Sequence, residues 1–220
     1  MKPTLSHVVR LLACSASALA LAACQEKTQA EATTAQPVAT EAAASAAAPA
    51  SGAASAFMPI EMDMKQKMSA AVGPSVEHTW AVKMLAHHQG GIEMSEALLK
   101  RSPNGPMRDM AQKTIDEQRK DSAELQKWVQ AHGGHGGGSV NPFAQMEEQM
   151  SQRMMAATGG TPDEAWSRKM IEHHQGSVDM SKRVLADAKD PDIRRMAQKT
   201  VDMQSKEIEA LRARLAAGCC

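Results

Sequence analysis

Met84-Leu85-Ala86-His87-His88-Gln89-Gly90-Gly91-Ile92-Glu93-Met94 returns as Met170-Ile171-Glu172-His173-His174-Gln175-Gly176-Ser177-Val178-Asp179-Met180, an offset of 86 residues. The same offset pairs Phe57 with Phe143, Met64 with Met150, Met68 with Met154, Trp80 with Trp166 and Leu125 with Leu211. It also carries Met110-Ala111-Gln112-Lys113-Thr114 onto Met196-Ala197-Gln198-Lys199-Thr200 without a gap. Self-similarity at a fixed offset means two copies of one supersecondary unit. The repeats are expected at 57–131 and 143–220, joined by a His/Gly-rich linker over 132–142.

Each copy predicts a short helix and two long ones. No stretch alternates apolar and polar residues as a strand does. Ser75 stands as an N-cap; Thr161-Pro162-Asp163-Glu164 combines an N-cap, a first-turn proline and a capping-box acid, and Asp190-Pro191 opens the last helix. Ser102-Pro103-Asn104-Gly105-Pro106 is a turn. Long helices are therefore predicted over 75–101, 106–131, 162–187 and 191–216, and short Met-rich ones over 58–72 and 143–157. At 1.5 Å per residue the long helices run roughly 40 Å. Short links make antiparallel hairpins, and two hairpins bury each other's apolar stripes. The expected fold is all-α: a four-helix bundle of two repeated hairpins, with the short helices outside or across one end.

The chain of 220 residues has 17 Met, 2 Phe, 3 Trp and no Tyr, so methionine has to do the core work usually given to aromatics. Thioether sulfur is also a soft ligand that suits Cu(I). On a helical wheel Trp80, Met84, His87, His88, Gly91, Ile92, Met94, Ser95, Leu98 and Leu99 share one arc, with Gln89, Glu93, Glu96 and Lys100 opposite. Both histidines of the pair thus point inward, and Gly91, with Ser177 in the second copy, leaves room beside the imidazole. The following helix places Gln118 and Asp121 on an apolar face, as the second copy does Gln204 and Glu207. Inward polar groups need partners, and a carboxylate on a ligand imidazole's other nitrogen is a common arrangement. Sulfur and imidazole on one face of each copy point to a metal site, copper foremost. A purely structural polar network is the alternative for these residues, and plain core packing for the methionines.

The pattern Met-x-x-His-His-Gln-Gly-x-x-x-Met (Gly-Ser in the second copy), followed by a helix with Gln-x-x-Asp/Glu, resembles the domain of unknown function 305 family, over about 57–216 in two copies. The resemblance implies a ferritin-like bundle, and copper binding of the kind some periplasmic members show. Carried over by position, it implies Met84, His87, His88 and Met94, with Met170, His173, His174 and Met180, as metal ligands, and Gln118, Asp121, Gln204 and Glu207 behind them. Further methionines at 58, 62, 64 and 68, and at 146, 150, 154 and 155, either extend a copper surface or fill the core.

The N-terminus reads as a secretory signal over 1–23, with Lys2, Arg10 and an apolar run from Leu11 to Ala23 that is too short to span a bilayer. Leu21-Ala22-Ala23-Cys24 resembles a lipobox, which makes Cys24 the expected lipidation site; ordinary cleavage nearby is the alternative. Gln25 in place of Asp favours the outer over the inner membrane by resemblance to sorted lipoproteins. Residues 24–56 lack large apolar groups and are expected to be a disordered tether. Expected partners are the membrane, through that lipid, and copper donor or acceptor proteins. Without Lys2 and Arg10 the chain carries 23 basic against 25 acidic residues, which argues against nucleic acid. Cys219 and Cys220 stand adjacent and cannot staple a core.

The expected function is envelope copper sequestration or transfer, without catalysis. A ferritin-like oxidase with iron or manganese is the rival, but it wants Glu-x-x-His on two helices, and Met84 and Met170 stand where those acids belong. A metal-free envelope scaffold is the third class.

Overall fold

The computed structural model describes residues 52–133, 138 and 141–220. All of these belong to one unit, Ser45–Cys220. The signal, Cys24 and most of the tether lie outside the described residues, as does His135 of the linker.

The described residues form seven helices and no strand: α1 (Gly52–Ser55), α2 (Met58–Ala70), α3 (Val76–Arg101), α4 (Arg108–Ala131), α5 (Ala144–Ala156), α6 (Pro162–Asp187) and α7 (Pro191–Ala216). The predicted starts of α3, α6 and α7 hold for physical reasons, while α4 begins at Arg108 rather than at 106. Ser75 Oγ accepts from His78 N, Thr161 Oγ1 accepts from Glu164 N, and Asp190 Oδ1 accepts from Asp192 N and Ile193 N. Each satisfies backbone N–H groups that a helix start leaves open. The one-turn α1 falls where the tether was expected to continue to 56. It forms because Ala54 is buried and α1 packs on α6.

The helices stack as three pairs. α3 and α6 form the middle pair, α4 and α7 pack on one side of it, and α2 and α5 pack on the other. The short helices therefore cover a face of the bundle. Lys83 and Gly90, which the wheel left unassigned, are buried under them. Ten methionines join Trp80, Trp166, Phe57 and Phe143 in the core.

Two buried lysines fasten the short helices, each across the repeats. Lys83 Nζ of α3 donates to Met68 O at the end of α2 (2.6 Å) and pairs with Glu147 of α5 (2.9 Å). Lys169 Nζ of α6 donates to Met154 O at the end of α5 (2.8 Å) and pairs with Glu61 of α2 (2.6 Å). The N-terminal part of each short helix therefore lies beside the C-terminal end of the other, and the pair runs antiparallel. Burial pushes the Glu61 carboxyl up, against the pull of Lys169.

Removing one partner of such a pair strands a buried charge. Lys169→Met is expected to cost about 3–5 kcal/mol at pH 7, and Lys169→Met with Glu61→Leu to recover most of it. Urea unfolding checks this; an unchanged midpoint in the single variant contradicts it.

Candidate metal centre

The two copies of the histidine motif meet where α3 and α6 cross. The rings of His87 and His173 stack at 3.6 Å between centroids, 26° from parallel. His87 Nε2 lies 3.0 Å from His173 O, and His173 Nε2 lies 3.0 Å from His87 O. A carbonyl only accepts, so both Nε2 atoms carry the proton and both Nδ1 atoms hold the free lone pair. Neither Nδ1 has a hydrogen-bond partner, although both side chains are wholly buried. Two further bonds repeat this symmetry: Trp80 Nε1 donates to Ser181 Oγ and Trp166 Nε1 to Ser95 Oγ, both at 3.3 Å.

Glycine permits the approach. A Cβ on Gly91 would stand 2.7 Å from His173 Cε1 and 2.3 Å from Gln118 Oε1. The space read beside His87 in sequence is thus filled by the other copy's imidazole. A Cβ on Gly90 would meet Met64 Sδ at 2.4 Å, and one on Gly176 would meet Met150 Sδ at 2.2 Å, so a buried thioether of each short helix lies against the motif.

His88 and His174 flank the stacked pair edge-on, 6.2 and 5.6 Å from their neighbours. Each is buried, and each lines a cleft between α4 and α7. The clefts hold equivalent residues at the repeat offset: Trp80 and Trp166, Asp121 and Glu207, Leu125 and Leu211, Met196 and Met110, Lys199 and Lys113. They differ in size. The cleft at His88 encloses only about 10 Å³, whereas the one at His174 opens to about 440 Å³.

The expected second carboxylates part company. Glu207 Oε2 lies 3.3 Å from His174 Nε2 without a hydrogen bond between them, both ring nitrogens of His174 being unpartnered, while Glu207 Oε1 takes Lys113 Nζ at 2.9 Å. Asp121 instead bonds Lys199 Nζ at 2.6 Å, and His88 Nδ1 has Ser122 Oγ at 3.4 Å. His88 Nε2 has no hydrogen-bond partner. Gln118 is buried with both amide atoms unpaired, and Gln204 Oε1 is likewise unpaired. Met84, Met94, Met170 and Met180 are all buried in the apolar core. Among the described residues no three His, Cys, Asp or Glu side chains are grouped to hold one ion. Any site of three donors here thus draws on thioether, amide or backbone groups.

Sequence reasoning missed Glu117, which lines the open cleft and pairs with Lys113 at 3.2 Å. Its counterpart at the repeat offset is Met203, so a break in the self-similarity was the available signal. Burial and then the adjacent Glu207 carboxylate push its carboxyl up to about 7. Cys219 and Cys220 are joined as a disulfide, with Cys219 Sγ 3.7 Å from Met107 Sδ. His132 stacks on Trp128 at 4.2 Å.

The model of the family described as Domain of unknown function (DUF305) matches residues 17–129 and 130–215. Among solved structures, a DUF305 fragment from Deinococcus radiodurans is similar over 67% of this chain and 99% of its own, at 24% identity and a TM-score of 0.53. CopM in the Cu(I)-bound form is similar over 64% of this chain and 95% of its own, at 20% identity and a TM-score of 0.49. CopM in the Cu(II)-bound form gives 62%, 94%, 22% identity and 0.49. No curated protein matches the chain in sequence. The likeness to the Deinococcus radiodurans fragment speaks for the fold.

All four imidazoles are held neutral. Burial brings His88, His173 and His174 down to about 3, helped by the neighbouring His173, His174 and His88 respectively. Burial, then His173 and His88, pushes His87 well below its usual range. An unfolded histidine takes a proton near 6.5, so as pH falls below that value the unfolded chain binds protons the folded one refuses. Stability is full above about 6.5 and drops by about 1.4 kcal/mol per pH unit for each such histidine. Glu117 and Glu61, both raised, act in the opposite sense and offset part of it. We expect a net loss of about 3 kcal/mol between pH 6.5 and 5 in metal-free protein, read by urea unfolding. A flat stability over that interval contradicts the buried, neutral assignment.

Proposed function

The chain belongs to the family of the domain of unknown function DUF305, and within it we propose that this protein binds copper through its duplicated histidine–methionine motif and sequesters or passes on the ion in the cell envelope. The observation that carries this reading is the set of orphaned nitrogens at the α3/α6 crossing. His87 Nδ1, His173 Nδ1 and His88 Nε2 are buried imidazole atoms without a hydrogen-bond partner. A buried, unpaired polar group costs about 1–3 kcal/mol, and a neutral imidazole lone pair is a good metal donor. The donor types fit the group: imidazole with the thioethers of Met84, Met94, Met170 and Met180 favours a soft ion and discriminates against magnesium and calcium.

His88 and His174 are the ligands we assign first, because each lines a cleft between α4 and α7 and has an unpartnered Nε2, whereas the rings of His87 and His173 are closed against one another at the crossing. The open cleft past Met110 and Met203 gives His174 a route from solvent, and Glu207 lines the same cleft. Thioether needs no deprotonation, so such a site keeps its sulfur donors in mildly acidic surroundings. We propose binding without catalysis, a lipid anchor at Cys24 facing the periplasm, and copper donor or acceptor proteins as partners. Met84 and Met170 stand in place of the acids a di-iron or di-manganese oxidase requires.

Competition with a Cu(I) chelator tests this. The full chain should take Cu(I) from the chelator, and His88→Gln with His174→Gln should weaken that binding at least tenfold, about 1.4 kcal/mol, with helicity unchanged. Equal Cu(I) affinity in the variant overturns the assignment. Retained iron with dioxygen-dependent turnover would favour the oxidase.

A further inference from the structure

Among the described residues the exposed large apolar side chains are all methionines: Met58 at 44%, Met62 at 63% and Met155 at 47%. Single exposed apolar groups need no explanation; these three share a place. Met58 and Met62 lie one turn apart at the start of α2, and Met155 lies in the last turn of α5. The two helices run antiparallel, and Lys65 of α2 bonds Glu148 of α5 at 2.8 Å. Met58 lies seven residues before Lys65 and Met155 seven residues after Glu148, so two helical turns along the pair bring both to the same end.

The internal repeat supplies a control. At the other end of the α2/α5 pair, the positions equivalent to Met58, Met62 and Met155 are Ala144, Glu148 and Ser69. The same helices with the same lysine clamps therefore form without methionine there, and packing does not require it. The buried methionines of these helices behave oppositely: Met64 and Met68 recur as Met150 and Met154.

We propose that Met58, Met62 and Met155 form a surface thioether site for a soft monovalent cation, Cu(I) or Ag(I), separate from the buried histidine centre. Three neutral sulfurs suit such an ion and offer little to a hard one. At the protein surface the site exchanges its ion with solvent or with another thioether donor, which the enclosed crossing of α3 and α6 does not do directly.

The test is titration of the full chain with Ag(I), following methyl resonances of [13C-methyl]methionine. The resonances of Met58, Met62 and Met155 should shift together and saturate at one equivalent. The variant Met58→Leu, Met62→Leu and Met155→Leu, with side chains of similar volume at exposed positions, should lose that equivalent and keep its unfolding temperature. His88→Gln with His174→Gln should retain it, which separates this site from the histidine reading. Unmoved resonances at these three positions, or an unchanged stoichiometry in the leucine variant, overturn the proposal.

Discussion

The crossing of α3 and α6 depends on one reciprocal contact, the stacked imidazoles of His87 and His173 with each Nε2–H given to the other's backbone carbonyl. It makes one core out of two repeats. Neutral rings are a condition of it, because two protonated imidazoles at this separation would repel in a medium that screens poorly. Burial supplies that condition. The contact also decides which nitrogens remain available, since it consumes Nε2 on both rings and leaves Nδ1.

Around the crossing, the structure divides its methionines by task. Those that recur at the repeat offset fill the core, and two of them, Met64 and Met150, press into the glycines of the histidine motif. Of those that do not recur, Met58, Met62 and Met155 are exposed on the α2/α5 pair, whereas Met107 is fully buried in the core. The two clefts also differ in size, and Glu117 and Met203, equivalent at the repeat offset, both line the larger one at His174.

Much of this was legible in the residues. The offset between Phe57 and Phe143, the caps at Ser75, Thr161 and Asp190, and the inward arc carrying His87 and His88 depend on local spacing, which sequence displays. What was not legible depends on which helix lies against which. Lys83 and Lys169 look like surface cations until α2 and α5 cover them. Asp121 looks like a partner for His88 until Lys199 of α7 reaches it first. Gly91 was seen to make room, but the ring that takes the room comes from the other repeat. Each of these is a contact between elements far apart in the chain, and periodicity says nothing about such pairings.

The central claim is that imidazole nitrogen and thioether sulfur together bind copper in this duplicated bundle. X-ray absorption on the full chain loaded with Cu(I) tests it most directly. The account predicts a first coordination shell containing both sulfur and imidazole nitrogen, with the nitrogen contribution lost in His88→Gln with His174→Gln. A shell of oxygen donors, or the same sulfur-and-nitrogen shell in that variant, would contradict it.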